Sequence, residues 1–193
     1  MKKQKSIVLS ALLAFGLMLS ACATPPVEEM DRAHDAVIRA ESDVNAVNYA
    51  ANTLIRARDT LTRMQSEADA RRFDAARDFA AEAVNLAERA IIEGRAGAVR
   101  ARDEAASLLN NLSAPLAEIT NAVNAAEQAS TLDLDFNALA EDLDLARRSY
   151  NNARQSLALD NYGDAIALGQ NARAILTEIN GKLNEAVHLA ARK

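Results

Sequence analysis

The sequence of 193 residues has no tryptophan, one cysteine, three prolines and six glycines, and aromatic residues make up only 4% of it. The single cysteine excludes a disulfide scaffold, and the shortage of proline and glycine excludes a collagen-like or disordered chain. The abundant residue is alanine, with 43 copies. Because alanine is the best helix former and loses no side-chain entropy on ordering, the composition predicts an all-α fold.

The amino terminus has the pattern of a secretory signal. Three lysines (Lys2, Lys3, Lys5) precede an apolar run over residues 7–19 that is too short to span a bilayer comfortably. The run ends in Leu19-Ser20-Ala21-Cys22, which resembles the lipobox of bacterial lipoproteins. That resemblance implies a signal peptide over residues 1–21, cleavage before Cys22, diacylglycerol on its sulfur and acylation of its new amino group.

Residues 22–26 would then form a short lipidated tether. Two or three acyl chains anchor a protein stably, since each buried CH₂ contributes about 0.8 kcal/mol. Ala23 follows the cysteine where an aspartate would retain a lipoprotein in the inner membrane, so the resemblance implies the outer membrane, facing the periplasm. The processed chain would keep 19 basic and 27 acidic residues, a net charge of −8, which argues against nucleic acid as a partner.

The processed chain contains an internal repeat with an offset of 89 residues and no gap. Matching positions carry proline, leucine, arginine or aromatic residues in both copies, as in Pro26/Pro115, Leu54/Leu143, Arg58/Arg147 and Phe73/Tyr162. We therefore predict a tandem duplication, with unit 1 over residues 27–112 and unit 2 over residues 113–193.

Each unit is predicted to contain three amphipathic helices, because its apolar residues recur every three or four positions. The first helix starts after Pro26 or Pro115 and ends at a break, over residues 43–48 or 130–137. A tight turn over residues 71–74 or 160–163 separates the second and third helices. The third helix of unit 1 is predicted to pass Gly94 and Gly97 and to stop at residues 110–113, ahead of Pro115.

Two family resemblances bear on this architecture. Residues 161–167, Asn-Tyr-Gly-Asp-Ala-Ile-Ala, resemble the start of the second helix of a tetratricopeptide repeat. Residues 26–92 more closely resemble the domain of unknown function 4398 family, through Cys22-Ala23, Tyr49-Ala50, the Leu-Ile-Arg-Ala-Arg segment at 54–58 and Phe73-Asp74. Ala51 stands where that family usually has proline. The resemblance implies tetratricopeptide-like, bundle or coiled-coil packing and a lipoprotein address, but no activity.

No residue pattern predicts catalysis or a cofactor. The two histidines, His34 and His188, lie near opposite ends without neighbouring ligands, whereas zinc needs three or four converging donors. Asp133, Asp135 and Asn137 follow the spacing of a calcium loop, but Ala138 replaces the turn glycine and Asp144 replaces the bidentate glutamate. The alternative is that Asp135 or Asn137 caps the following helix.

Two features of the charge pattern leave alternatives open. Nine acids and no base lie between Asp103 and Asp144, just after a cluster of four arginines, which indicates either a solvated face or an ion-paired contact within the chain or between copies. The processed chain has two lysines, Lys182 and Lys193. The terminal Arg192-Lys193 resembles Braun-type lipoproteins and implies linkage of Lys193 to peptidoglycan, although a cation also suits a helix C-terminus.

These observations lead to three functional hypotheses. The first is a non-enzymatic, lipid-anchored envelope protein that offers a helical scaffold to a protein partner. The second is a structural spacer between outer membrane and peptidoglycan, with self-association of its helices. The third is a carrier that holds a small amphiphilic ligand between the two units.

Overall fold

The computed structural model describes residues 24–129 and 132–192, which form six α-helices and no strand. The all-α prediction is therefore confirmed. The helices, numbered along the chain, are α1 (Val27–Ser42), α2 (Val44–Tyr49), α3 (Ala51–Asp69), α4 (Phe73–Ala129), α5 (Phe136–Ala158) and α6 (Tyr162–Ala190). The chain divides into two compact units between Gly94 and Arg95, within α4. The boundary predicted between residues 112 and 113 also falls inside α4, further along the same helix.

The predicted stop ahead of Pro115 is wrong, because α4 continues through this proline. An interior proline costs a helix about 3 kcal/mol, since it lacks an N–H and its ring clashes with the preceding turn. Here the helix buries Leu109 and Leu112 before the proline and Val123 after it. The hydroxyl of Ser113 also donates to the carbonyl of Asn110 at 2.8 Å. Packing on both sides of Pro115 thus outweighs a local signal that favours a break.

The predicted break over residues 43–48 is mostly helical. It contains the six-residue helix α2, whose N-terminus is capped by the side chain of Asp43, which accepts a hydrogen bond from the Ala46 N–H at 2.9 Å. The backbone of α2 lies directly against α4 at Gly94. A Cβ atom placed there would stand 2.5 Å from the Ala46 nitrogen and 2.6 Å from its Cα. Only glycine allows this backbone-to-backbone approach.

The core of unit 1 consists mostly of alanine. Alanine occupies ten of the fourteen buried positions of its apolar cluster, and Leu54, Met64 and Leu86 are the large side chains. Each alanine buries little apolar surface but allows neighbouring helices to approach closely. Half-buried side chains on three helices complete the cluster, namely Met30, Leu61, Phe79, Val84 and Ile91.

The core of unit 2 is built from larger side chains. Its apolar cluster contains only two alanines among nine buried positions, and the other seven are Leu112, Val123, Leu139, Leu143, Leu176, Ile179 and Leu183. These come from the later part of α4, from α5 and from α6. The unit therefore has the packing of a three-helix bundle.

Some positions 89 residues apart have similar environments and others do not, since Ala33, Ala36 and Ala40 are buried whereas Ala122, Ala125 and Ala129 are exposed. The sequence of buried, half-buried and exposed residues over 51–70 is the same, residue for residue, as that over 140–159. The predicted turns at 71–74 and 160–163 are confirmed and match in geometry, since Arg71 and Asp160 both have φ of 59°. The residue after each of these two donates its backbone N–H in the same way. The Arg72 N–H donates to the Glu67 carbonyl and the Asn161 N–H donates to the Ser156 carbonyl, each at 2.9 Å.

Candidate functional site

The two residues singled out for covalent chemistry, Cys22 and Lys193, lie outside the described residues, as does the signal sequence 1–21. The predicted lipidation and wall linkage therefore stay predictions. The other lysine predicted to remain after processing, Lys182, lies in α6. Its ammonium donates to Asp142 Oδ2 at 2.9 Å and pairs with Glu178 Oε1 at 2.8 Å. The bonds to Glu178 and Asp142 raise the pKa of Lys182.

The equivalent positions in unit 1 form a similar bridge with other chemistry. Glu93 accepts from the Thr53 hydroxyl at 2.5 Å and from Arg89 Nε at 2.6 Å. The hydrogen bond from Thr53, followed by that from Arg89, lowers the pKa of Glu93. Thr53 and Glu93 each lie 89 residues before Asp142 and Lys182. The two units thus join corresponding helices at one position, α3 to α4 in unit 1 and α5 to α6 in unit 2, with the acid on α4 in unit 1 and on α5 in unit 2.

The segment that resembles a calcium loop serves as a helix cap. Asp135 precedes α5, and its carboxylate accepts from the Ala138 N–H at 3.1 Å, as the capping interpretation predicts. Asp144 pairs with Arg148 one helical turn away, at 2.5 Å. Within residues 24–129 and 132–192, no three His, Cys, Asp or Glu side chains are grouped so that they could hold a metal ion.

The histidines and the arginine cluster are on the surface. His34 in α1 and His188 near the end of α6 are both exposed. Of the clustered arginines, Arg89 pairs with Glu93 and Arg102 pairs with the adjacent Asp103. The ion pair between Arg102 and Asp103 joins the arginine cluster to the start of the acidic stretch. This distribution is that of a solvated helix face.

Unit 2 contains an open groove of about 550 Å³ between α4 and α6. Its apolar part is formed by the buried Leu112 and Leu176 and the half-buried Leu108 and Ile119. Polar side chains of several kinds surround this apolar part, and one acid and one base are among them: Glu104, Ser107, Asn111, Gln170, Arg173, Thr177 and Asn180. The lining contains more polar than apolar side chains, so the groove combines a small apolar floor with a polar rim.

Pro115 lines the same groove and changes the backbone hydrogen bonding of α4 at that point. Because proline has no N–H, the carbonyl of Asn111, four residues earlier, lacks its usual helical donor. That carbonyl is an acceptor on a residue that also lines the groove. Because Pro115 predicts a helix stop, the sequence alone does not predict this site. The signal was there, because Leu108, Leu112 and Ile119 continue the helical spacing across the proline.

Unit 1 contains a second groove, of about 510 Å³, between α1 and the first turns of α4. Its lining is more highly charged, with three arginines and three acids: Arg32, Arg39, Arg77, Glu29, Asp35 and Glu88. Arg77 pairs with Asp74 at 2.9 Å and lies 3.7 Å from Glu29. The formal charges in this groove cancel, so the groove does not select a ligand of one charge.

The described residues therefore define an all-α protein of two helical units, each with a surface groove. Residues 28–108 match the sequence profile of the family described as "Domain of unknown function (DUF4398)". The resemblance to that family is thus confirmed over α1, α2, α3 and the first half of α4. No curated protein and no solved structure matches the chain. No helix within the described ranges is long and apolar enough to cross a membrane.

Proposed function

We propose that this protein is a non-enzymatic lipoprotein of the bacterial outer membrane, anchored through Cys22, whose helical units bind a protein partner in the periplasm. The lipobox-like sequence supports the anchor. The groove of unit 2 is the observation that carries the binding role, because it combines an apolar floor, mixed polar side chains and an acceptor carbonyl freed by Pro115. An elongated peptide segment of a partner satisfies all three features.

The tandem duplication is part of this proposal. The matched exposure pattern, the two turns with φ of 59° and the bridges Thr53–Glu93 and Asp142–Lys182 support a common origin of the units. Helical units of this kind stabilise their neighbours and present surfaces for interaction. The two grooves share equivalent positions on α4 and α6, but six charged residues line that of unit 1 and only two line that of unit 2, so the partner we propose engages unit 2 specifically.

A site-specific photocrosslinker tests the binding role in the native envelope. A benzophenone amino acid replaces Asn180, on the groove, or Asn151, an exposed residue of α5 that does not line it. We expect a discrete adduct from position 180 and none from position 151, and we expect Ile119→Glu to abolish the adduct. Equal adducts from both positions, or none from position 180, would contradict the proposal. An adduct with lipid instead of protein would favour the carrier hypothesis.

Attachment to peptidoglycan is a second candidate role, and the environment of Lys182 bears on which lysine we assign to it. A transpeptidase needs a free, accessible amine, and arginine cannot serve because its guanidinium stays protonated. The ammonium of Lys182 is held by Asp142 and Glu178. Lys193 is therefore the lysine we assign to such a linkage. In that case a fraction of the protein stays on sacculi boiled in detergent, and Lys193→Arg removes it. Retention by Lys193→Arg would exclude this role.

A further inference from the structure

The residues nearest the proposed lipid anchor are fastened to the body of unit 1. Arg77, in the second turn of α4, donates from Nη2 to the carbonyl oxygen of Thr24 at 3.1 Å. The same guanidinium donates from Nη1 to Asp74 at 2.9 Å, and its Nε lies 3.7 Å from Glu29. One side chain thus joins the tether, α1 and α4.

Residues 24–26 of the tether have little conformational freedom. Pro25 and Pro26 each have a fixed φ, and a residue before proline, such as Thr24, is restricted to extended conformations. The carbonyl of Pro25 accepts from the Val27 N–H at 2.9 Å, and that of Pro26 accepts from the Met30 N–H at 3.0 Å. Three consecutive carbonyls, from Thr24 to Pro26, are therefore held by hydrogen bonds.

Covalent geometry then places the lipid close to this end of unit 1. Two residue steps separate Thr24 from Cys22, and a fully extended chain covers at most about 7 Å over that length. From these contacts and this short reach we infer that Arg77 fixes the orientation of unit 1 on the bilayer. The end that carries Thr24, the last turn of α3 and the first turn of α4 faces the lipid headgroups. The inference rests on the proposed acylation of Cys22.

The sequence of unit 2 supports a role specific to the anchored unit. The position that corresponds to Arg77 is Ile166, and those that correspond to Arg71 and Arg72 are Asp160 and Asn161. Three arginines therefore occur at this end of unit 1, and none occurs at the matching positions of unit 2. Unit 2 has no tether of its own, because the chain before Pro115 continues as helix α4.

The surface of this end suits a bilayer interface. Val27, the first residue of α1, leaves 58% of its surface exposed beside the tether. Arg71 is exposed and forms no ion pair within the described part of the chain, whereas Arg72 is paired with Glu67. An exposed apolar side chain and an arginine without an ion pair at the same end of the unit suit the boundary between acyl chains and phosphate groups.

The absence of tryptophan provides a clean measurement. Phe73→Trp places a unique fluorophore at the end of unit 1 that faces the bilayer, and Tyr49→Trp places one at the opposite end. Both replaced aromatics are half-buried. The 19 residues of α3 separate the two sites by about 28 Å, at 1.5 Å per residue. The lipidated full-length product is reconstituted in phosphatidylethanolamine–phosphatidylglycerol vesicles that contain a lipid with a dansyl headgroup.

We expect strong energy transfer to dansyl from Phe73→Trp and weak transfer from Tyr49→Trp. Arg77→Gln, added to each, should bring the two efficiencies together, because the freed tether lets unit 1 tumble. Arg58→Gln is the matched control, since Arg58 pairs with Glu41 at the far end of α1 and does not touch the tether. Thermal unfolding followed by circular dichroism verifies that each variant is folded, and Arg77→Met, which keeps an apolar stem but has no hydrogen-bond donor, replaces Arg77→Gln if the latter unfolds.

Equal transfer from the two tryptophans in the otherwise unchanged protein would overturn the inference, as would an undiminished difference in the Arg77 variant. Flotation of the vesicles separates this failure from failure of the proposed function. Protein that floats with the vesicles but shows no orientation contradicts the role of Arg77 alone. Protein that does not float contradicts the lipid anchor, and the proposed orientation falls with it.

Discussion

The cores of the two units are filled in different ways at matching positions. In unit 1 the backbone of the short helix α2 lies against α4 at Gly94, and the surrounding core positions are alanines, such as Ala50, Ala87 and Ala90. The matching positions of unit 2 are the large residues Leu139, Leu176, Ile179 and Leu183. The described segment between α4 and α5 in unit 2, residues 132–135, is not helical.

The backbone of α2 fills the space beside Gly94 in unit 1, whereas large side chains fill the matching space in unit 2. Both solutions keep buried atoms densely packed, as stable protein interiors require. Helix α3 and its following turn match the corresponding part of unit 2 residue for residue in exposure. The agreement in burial is limited to part of each unit, because Ala33, Ala36 and Ala40 of α1 are buried and Ala122, Ala125 and Ala129 are exposed.

The largest expected effect tests the equivalence of the units. Leu54 and Leu143 are matching core residues, 3% and 4% exposed. Truncation of a buried leucine to alanine costs about 2–5 kcal/mol through lost transfer energy and the cavity left behind. We expect Leu54→Ala and Leu143→Ala to lower the free energy of unfolding by similar amounts in urea titrations. A near-zero effect at one site and a large effect at the other would refute the equivalence.

Gly94 and its counterpart Leu183 differ most in side-chain size, so alanine substitutions at these two positions test the comparison of the cores. At Gly94 the added Cβ meets the backbone of α2 at 2.5 Å, so Gly94→Ala should destabilise unit 1 by about 1–3 kcal/mol. At Leu183, its counterpart, alanine is too small and should leave a cavity. Gly181 is the control, because nothing lies within 4 Å of its added Cβ. Gly181→Ala should stabilise α6 by about 1 kcal/mol. Hydrogen exchange shows which unit opens, and tolerance of Gly94→Ala would contradict the packing described for α2.

The matched turns predict a smaller, stabilising effect. Arg71 and Asp160 both have a left-handed backbone, with φ of 59°, which costs an ordinary residue about 1 kcal/mol. Glycine removes that cost, so Arg71→Gly should raise the midpoint of thermal unfolding. Asp160→Gly should gain less, because aspartate tolerates this conformation and Asp160 also accepts a hydrogen bond from Tyr162 at 2.7 Å. A drop in the midpoint for Arg71→Gly would show that the arginine side chain stabilises the turn.

The smallest effects concern the two bridges, since their side chains are exposed to solvent. The pKa of Glu93 is lowered from 4.5, so its contribution to stability is present above that value and is lost as the pH falls through the lowered pKa. The pKa of Lys182 is raised from 10.5, so its contribution is lost as the pH rises beyond that value. Glu93→Gln should therefore weaken the acid dependence of unfolding, and Lys182→Gln the alkaline dependence. The two bridges would be contradicted if Glu93→Gln changed the alkaline dependence and Lys182→Gln changed the acid dependence.

Helical periodicity and turn chemistry were sufficient to predict most of the architecture. Apolar residues every three or four positions identify the helices, and Asp160-Asn161 before Tyr162 identifies a turn, because these features act over a few residues. The helix α2 was not predicted, because its six residues contain two asparagines, which disfavour helix, and it is stabilised by tertiary packing on Gly94. Close approach of distant segments leaves no local signal.

The groove of unit 2 and the role of Arg77 depend on contacts between distant residues. Pro115 locally favours a helix end, and only the packing of Leu109, Leu112 and Val123 keeps α4 continuous. Arg77 lies 53 residues from Thr24 along the chain, so its contact with the tether follows from the arrangement of α1 and α4. The acidic and basic residues can be identified from the sequence, but the residues with which they form ion pairs and hydrogen bonds cannot.

The central claim is that the processed chain is held on the membrane by acylation of Cys22, and metabolic labelling tests it most directly. Cells that express the protein or Cys22→Ser are grown with labelled palmitate, and the protein is isolated and sized. The account predicts label on a processed form of the unchanged protein and an unlabelled, unprocessed precursor for Cys22→Ser. Equal labelling of the two, or no label on either, would contradict it.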